Sequence, residues 1–229
     1  MATIEELQKE VESYTNKILE ICKTDKEIDE LFKGVSIFFA PAVPETDLMF
    51  IGINPGVSPS EERVISFVQP EKSEYETEEY TLQTEWATIF GDKYEINDLN
   101  LLYKSFKTNC SFFITKGTEE LHSLKSKLRK YLGSELDQKE AEWIKTLVEY
   151  INPRLIICEG FEAFNTLKTI FAGNMKDDES EKGNHKVAYI DDWRPVLGFK
   201  RAYSRFVDIE DVVDTLQDYM KIAKVGEEK

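Results

Sequence analysis

The sequence predicts an α/β fold with a central, mainly parallel sheet in a single domain over residues 1–229. Two segments, residues 47–56 and 154–160, each consist of an apolar run followed by a turn that contains glycine. An unbroken apolar run is typical of a strand that is buried on both faces. The strand–helix–strand order across residues 154–190, with 187–190 as the next parallel strand, predicts a right-handed crossover. A chain of 229 residues can bury one such core.

The other elements follow from the spacing of apolar residues along the chain. Residues 4–32 carry an apolar stripe at three- and four-residue steps, which predicts an N-terminal helix that packs on the sheet. Residues 36–42 end in prolines and predict a short edge strand or an approach loop. Residues 57–85 are long, irregular and acidic, which is typical of a solvated or functional loop. Further helices are predicted at residues 118–132, at 137–151 and near 209–223.

Composition limits the classes of function that fit this chain. It holds 44 acidic and 29 basic residues, for a net charge of −15, so a nucleic-acid surface would have to be a local basic patch. The three cysteines are far apart and predict reduced thiols in a cytoplasmic protein. Neither a zinc spacing nor four cluster-binding thiolates occur, and no apolar run could span a membrane. We therefore expect a monomer without metal or cofactor.

The segment 47–56 is the most informative stretch of the chain. Its apolar strand leads into Gly52-Ile53-Asn54-Pro55-Gly56. Gly52 lets the backbone leave the strand, Pro55 biases Asn54 away from helical angles, and Gly56 can adopt a positive φ. Asn54 should lie just beyond the carboxyl end of the strand, where open α/β sheets build their sites. The plain alternative is a tight turn in which Asn54 only bonds to nearby backbone.

Gly-Ile-Asn-Pro-Gly after a buried strand resembles the first motif of the uracil-DNA glycosylase superfamily, most closely its mismatch-specific uracil and thymine branch. The resemblance implies a three-layer α/β/α fold around a mainly parallel, four-stranded sheet. It also implies that Asn54 positions the attacking water. Gly52, Ile53, Pro55 and Gly56 would line the base pocket.

The resemblance also implies residues that hold the base. An aromatic residue after the first motif stacks on it, which points to Tyr75 or Tyr80; a tyrosine packed on the core is the alternative. Thr108-Asn109-Cys110 resembles the site where an asparagine recognises the edge of uracil. An amide suits this role because it can donate and accept at once. A simple turn residue is the alternative for Asn109.

The family's second catalytic motif should fall within residues 191–201, but the match is partial. No histidine or asparagine stands at the expected place, and a loose alignment puts Asp192 there. An ionised aspartate would repel the charge that builds on the leaving base, whereas a protonated one could donate to it. Residues 186–205 hold five basic residues against two acidic ones. We expect a DNA-binding wedge loop here or, alternatively, an ordinary charged loop; the candidate contacts are Arg194, Leu197, Phe199, Lys200 and Arg201.

Two functions follow from these residues. The first is a DNA glycosylase that flips uracil or a mismatched pyrimidine out of DNA and hydrolyses its N-glycosidic bond, as in base excision repair. The second is a catalytically degenerate member of the same fold that binds a nucleotide, a nucleic acid or a protein. The partial second motif and the acidic balance favour the second.

Overall fold

The computed structural model describes residues 3–57, 62–177 and 183–226. The helices in these ranges are α1 (Ile4–Cys22), α2 (Lys26–Leu31), α3 (Glu74–Thr77), α4 (Thr81–Phe90), α5 (Leu99–Tyr103), α6 (Thr118–Leu132), α7 (Glu135–Ile151), α8 (Phe161–Ile170) and α9 (Ile209–Ile222). The strands are β1 (Gly34–Ser36), β2 (Leu48–Gly52), β3 (Val64–Ser66), β4 (Phe106–Asn109), β5 (Phe113–Ile114), β6 (Leu155–Cys158), β7 (Met175–Asp177), β8 (His185–Ile190), β9 (Arg194–Phe199), β10 (Arg201–Ala202) and β11 (Arg205–Phe206). The predicted α/β class is confirmed.

The main sheet has six strands in the order β4-β2-β6-β9-β8-β7. The first four strands run parallel, while β8 and β7 continue the sheet in antiparallel fashion. A smaller sheet joins β3, β1 and β5. The carboxyl ends of β4, β2, β6 and β9 therefore lie along one edge of the main sheet, which we call the carboxyl edge.

Residues 187–190 do not form the parallel strand that the sequence predicted. They belong to β8, which pairs antiparallel with β9. Asp191 and Asp192 take positive φ values of 56° and 63° in the short turn between these strands. So short a connection can join only antiparallel neighbours. The parallel neighbours of β6 are thus β2 on one side and β9 on the other.

The N-terminal helical region is also divided. The stretch predicted as one helix over 4–32 is interrupted after Cys22, and α2 starts at Lys26. The carboxylate of Asp25 accepts hydrogen bonds from the backbone N–H groups of Glu27 and Ile28, at 3.1 Å and 3.2 Å. This is an N-cap, which favours a new helix start at this point.

Helices cover both faces of the main sheet. Along β2, Met49 and Ile51 face a core that includes residues of α1, α6, α7 and α8, while Leu48 and Phe50 face a core that includes residues of α4 and α9. Side chains alternate along a strand, so a strand covered on both sides must be apolar throughout. All five residues of β2 are buried accordingly. In the part of the chain described, no helix has the length and apolar character needed to cross a bilayer.

Candidate functional site

Three neighbouring parallel strands place polar groups together at the carboxyl edge. Gly52 ends β2 and lies in register with Asn109, which ends β4. Glu159 directly follows β6, and its backbone N–H donates to the carbonyl of Ile51 at 2.8 Å. Asn109 is 5% exposed and Glu159 is 7% exposed. This edge is the place where α/β sheets carry their binding sites.

Gly52 allows the side chains on both sides to approach its strand. A Cβ atom at this position would lie 2.2 Å from Oδ1 of Asn109 and 3.5 Å from Oε2 of Glu159. The first distance is far below van der Waals contact. Glycine is therefore required here by the close approach of the Asn109 amide.

The Asn109 side chain lies almost entirely inside the protein. Its amide makes no hydrogen bond to another residue that the structure describes, although the residue is 95% buried. Buried side-chain amides are nearly always hydrogen-bonded in folded proteins. Among the described residues the amide has no partner, so at the carboxyl edge it is suited to hold a ligand.

Glu159 anchors a group of buried polar residues on the same face of the sheet. Its Oε1 atom accepts hydrogen bonds from the Tyr75 hydroxyl at 2.6 Å, from Trp86 Nε1 at 3.1 Å and from Lys107 Nζ at 3.3 Å. Its Oε2 atom lies 3.1 Å from Lys107 Nζ. We call the group the Glu159 cluster, and it consists of Glu74, Tyr75, Tyr80, Trp86, Lys107 and Glu159.

Lys107 stands between two carboxylates. Its side chain is 6% exposed, and its ammonium pairs with Glu74 as well as with Glu159. Nζ also donates to the Tyr80 hydroxyl at 2.8 Å, and that hydroxyl donates to Glu74 at 2.5 Å. One positive charge thus lies among two negative charges, in a region shielded from water.

These contacts keep Glu159 and Lys107 ionised. Burial alone would raise the pKa of the Glu159 carboxyl, but Lys107 and the Tyr75 hydroxyl hold that pKa below its ordinary value. Burial alone would lower the pKa of Lys107, but the carboxylates of Glu159 and Glu74 keep it above its ordinary value. Burial also raises the pKa of both tyrosines, so their hydroxyls remain protonated.

The two tyrosines predicted to stack on a base lie in this cluster but differ in exposure. Tyr75 is 0% exposed, and its ring packs edge-on against Phe50 with centroids 5.0 Å apart. The stacking role predicted for Tyr75 is wrong, because neither ring face is open. Tyr80 is partly buried and remains a candidate.

Asn54 lies beyond β2, as predicted, with its amide held in place. Nδ2 donates to Oγ1 of Thr115 at 2.9 Å and to the backbone oxygen of Pro55 at 3.0 Å. Oδ1 makes no hydrogen bond to another described residue and can accept one from a water molecule. Part of the plain alternative also holds, since one of these bonds is to the neighbouring backbone.

The residues beside Asn54 form the rest of this turn. Pro55 is buried, and Ile53 is partly buried against the core. Gly56 is exposed, and it is not among the glycines with positive φ. The expectation that Gly56 uses a positive φ is therefore wrong.

Asp192 does not belong to this edge. It precedes β9, so it lies at the amino edge of the parallel strands, whereas Asn54 follows β2 at the carboxyl edge. A strand as long as β9 spans about 17 Å. The prediction that Asp192 works beside Asn54 is thus wrong, because the β8–β9 turn points the other way.

Three of the predicted DNA contacts are buried. Leu197 and Phe199 are 0% exposed within β9, so they cannot form a wedge. Arg194 is 5% exposed and donates to the Pro153 carbonyl at 2.8 Å and to Oδ1 of Asn152 at 2.6 Å. These assignments are corrected, because residues 194–199 form a central strand. Lys200 is exposed and Arg201 is partly exposed at the carboxyl edge.

A hairpin that the sequence did not predict follows β9 at the carboxyl edge. β10 and β11 pair antiparallel, and Tyr203 lies at the turn with a φ of 58° and an exposure of 99%. Arg201 Nη1 donates to the backbone oxygen of Glu159 at 2.8 Å, which ties the hairpin to the site. Arg205 is exposed beside the tyrosine. The exposed ring and the basic residues lie together on the surface at this edge.

Lys107 and Glu159 were missed by sequence reasoning. Each is a charged residue in or next to an apolar strand, which is itself a signal, because a buried charge requires a partner. What the sequence could not provide was the register that brings residues 52 apart in the chain together.

Comparisons with known proteins do not assign this chain. No protein-family model matches the sequence, and no curated protein is significantly similar to it. Across residues 3–57, 62–177 and 183–226, no group of three or more histidine, cysteine, aspartate or glutamate side chains is placed to hold a metal ion.

Proposed function

We propose that this protein is a DNA glycosylase of the uracil-DNA glycosylase kind. It would bind a base flipped out of DNA at the carboxyl edge and hydrolyse the N-glycosidic bond. The single observation that carries the proposal is the nearly buried amide of Asn109, which makes no hydrogen bond to another described residue and lies in register with Gly52, where β2 leads into Gly-Ile-Asn-Pro-Gly.

The base pocket would be built around Asn109. Its amide offers one acceptor and two donor hydrogens, and the lack of a side chain on Gly52 lets that amide lie against the end of β2. The Glu159 cluster would form the polar wall of the pocket. Because hydrogen bonds from Tyr75, Trp86 and Lys107 hold Glu159, this wall would be rigid before the base arrives.

Asn54 would position the water. Two hydrogen bonds fix Nδ2 and orient Oδ1, which can accept a hydrogen from the attacking water. An amide cannot remove a proton as a general base, so we expect slow turnover that depends on the departure of the base.

Charge on the leaving base would be met by Arg201 in place of Asp192. Arg201 is the partly buried cation at the carboxyl edge, next to Glu159. Cations and fixed dipoles aimed at developing negative charge are a general means of lowering such barriers. Lys200, Tyr203 and Arg205 would contact the DNA around the flipped base.

The test is base release from oligonucleotides that contain uracil, a mismatch or a damaged base. Asn54→Ala should lower the rate of release by about 10²-fold, because the water loses its position. Asn100→Ala, on the exposed side of α5, is the matched control and should leave the rate unchanged. Release that is equal in the wild type and in Asn54→Ala would contradict the assigned role.

The second candidate is a binding module without catalysis. The observation that favours it is the location of Asp192 at the opposite edge of the sheet, which leaves the family's second motif without a counterpart beside Asn54. Binding of single-stranded or lesion-bearing DNA that weakens in Asn109→Ala, with no base released from any oligonucleotide, would decide for this candidate.

A further inference from the structure

Two acceptor oxygens lie beside Gly52, at the edge where the base would bind. Oδ1 of Asn109 and Oε2 of Glu159 both lie within 3.5 Å of the place where a Cβ atom on Gly52 would be. Neither oxygen can donate a hydrogen to the other, because one is a carbonyl and the other belongs to an ionised carboxylate. An arrangement of this kind is stabilised by a group that brings N–H donors.

Glu159 has acceptor capacity left for such a group. Its Oε1 atom takes hydrogen bonds from Tyr75, Trp86 and Lys107, whereas among the described residues Oε2 has one ion-pair contact, with Lys107 at 3.1 Å. A carboxylate oxygen can accept two hydrogen bonds. Oε2 is also the Glu159 oxygen that lies 3.5 Å from the Cβ position of Gly52.

We propose that the pocket selects a base whose edge carries two adjacent N–H donors, as the ring N1–H and the 2-amino group of a guanine do. The inference rests on the proposed binding of a flipped base at this site, and it replaces the uracil that the family resemblance implies. Uracil flanks its single N3–H with two carbonyl oxygens. One of these would face the Glu159 carboxylate and be repelled.

The experiment measures the binding of free 2′-deoxynucleosides to the full chain by NMR saturation transfer and by titration calorimetry. Deoxyguanosine should bind at least about 10-fold more tightly than deoxyuridine, since a bidentate donor pair discriminates by roughly this factor or more. Deoxycytidine, which has an amino group but no adjacent ring N–H, should fall between the two.

Two variants test the residues. Glu159→Gln replaces an acceptor with a donor at the same place and should reduce the preference for deoxyguanosine by about 10-fold. Asn109→Ala removes the other acceptor without disturbing the buried ion pairs. If Glu159→Gln does not fold, Asn109→Ala provides the test of the preference for deoxyguanosine. Glu79→Gln, on the exposed segment after α3, is the matched control and should keep the preference.

The outcomes separate this inference from the proposed function. Tighter binding of deoxyuridine, an unchanged preference in both variants, or binding of no nucleoside would each overturn the donor-edge inference. The glycosylase proposal is judged independently by Asn54-dependent base release. Release of uracil together with tighter binding of deoxyuridine would keep the enzyme and reject the guanine-type edge.

Discussion

Replacing Lys107 with methionine tests whether the Glu159 cluster stabilises the fold. Methionine keeps much of the length and apolar character of the side chain but removes the ammonium. The partner carboxylates of Glu159 and Glu74 have side chains that are 4% and 17% exposed, so water can screen them only weakly. Breaking a buried ion pair by removing one partner costs about 3–5 kcal/mol. We expect Lys107→Met to lower the free energy of unfolding at neutral pH by about that amount.

The stability lost in Lys107→Met should depend on pH in a definite direction. In the wild type the pKa of Glu159 is depressed, so its contribution to stability is present above the ordinary glutamate pKa and is lost as pH falls through the folded value. The raised pKa of Lys107 keeps its contribution present until the solution is strongly alkaline. Without Lys107, burial would raise the pKa of Glu159. The stability difference between the two proteins should therefore be small near pH 4 and should grow toward pH 7.

Urea unfolding at pH 4 and pH 7, with midpoint and slope both fitted, measures this difference. Lys23→Met is the control, because the Lys23–Glu20 pair is 66% and 70% exposed and should contribute at most about 1 kcal/mol. The double variant Lys107→Met/Glu159→Gln should recover part of the loss, since it removes one buried charge. A loss below about 1 kcal/mol at pH 7, or an equal loss at both pH values, would refute the reasoning.

Three further predictions concern other parts of the molecule. Gly52→Ala should displace the Asn109 amide and lower the free energy of unfolding in urea by about 1–3 kcal/mol. Gly56→Ala should be nearly neutral, because a Cβ at that position meets no atom within 4 Å. Equal losses in the two variants would contradict the close approach of Asn109 to Gly52. Glu140 accepts a hydrogen bond from Ser111 at 2.5 Å and pairs with Lys125 at 2.6 Å, but burial still raises the pKa of its carboxyl. Ionisation of Glu140 therefore destabilises the fold as pH rises above the ordinary glutamate pKa. Relative to the wild type, Glu140→Gln should therefore gain stability between pH 4 and pH 7, and a difference that is independent of pH would exclude this titration. Tyr203→Ala should weaken DNA binding by about 1–3 kcal/mol without changing the salt dependence of binding. Trp193, which is 54% exposed at the opposite edge, provides the control, and Trp193→Ala should leave DNA binding unchanged. Equal losses in the two variants would argue against the hairpin as the DNA contact.

Much of the fold could be predicted because local pattern and burial agree. Residues 48–51 are apolar without interruption, and they form a strand covered on both faces. The helices near 118–132 and 209–222 were found from their apolar stripes. The division at Asp25 was missed because a cap depends on one side chain rather than on periodicity.

The direction of β8 was harder to predict. An apolar strand shows the same pattern whether it runs parallel or antiparallel to its neighbour. The deciding feature is the turn at Asp191 and Asp192, where two successive non-glycine residues have positive φ. The same error made the predicted DNA-binding wedge wrong, because its residues were assigned to a loop and instead form β9.

The site was predicted in part. Asn54 and Asn109 were singled out from the family resemblance, and the structure puts Asn109, the last residue of β4, in register with Gly52. The Glu159 cluster was not found, since its members come from residues 74–86, from β4 and from the end of β6. Contacts between such distant segments are set by packing and leave no local pattern.

The bonds of Arg201 have a mechanical consequence. Its guanidinium holds the backbone oxygen of Glu159 on one side and that of Tyr203 on the other. The outer turn of the hairpin is therefore joined through one side chain to the backbone at the end of β6. A nucleic acid that docks on Tyr203 would meet a surface already set in its final shape, and little ordering entropy would oppose the encounter.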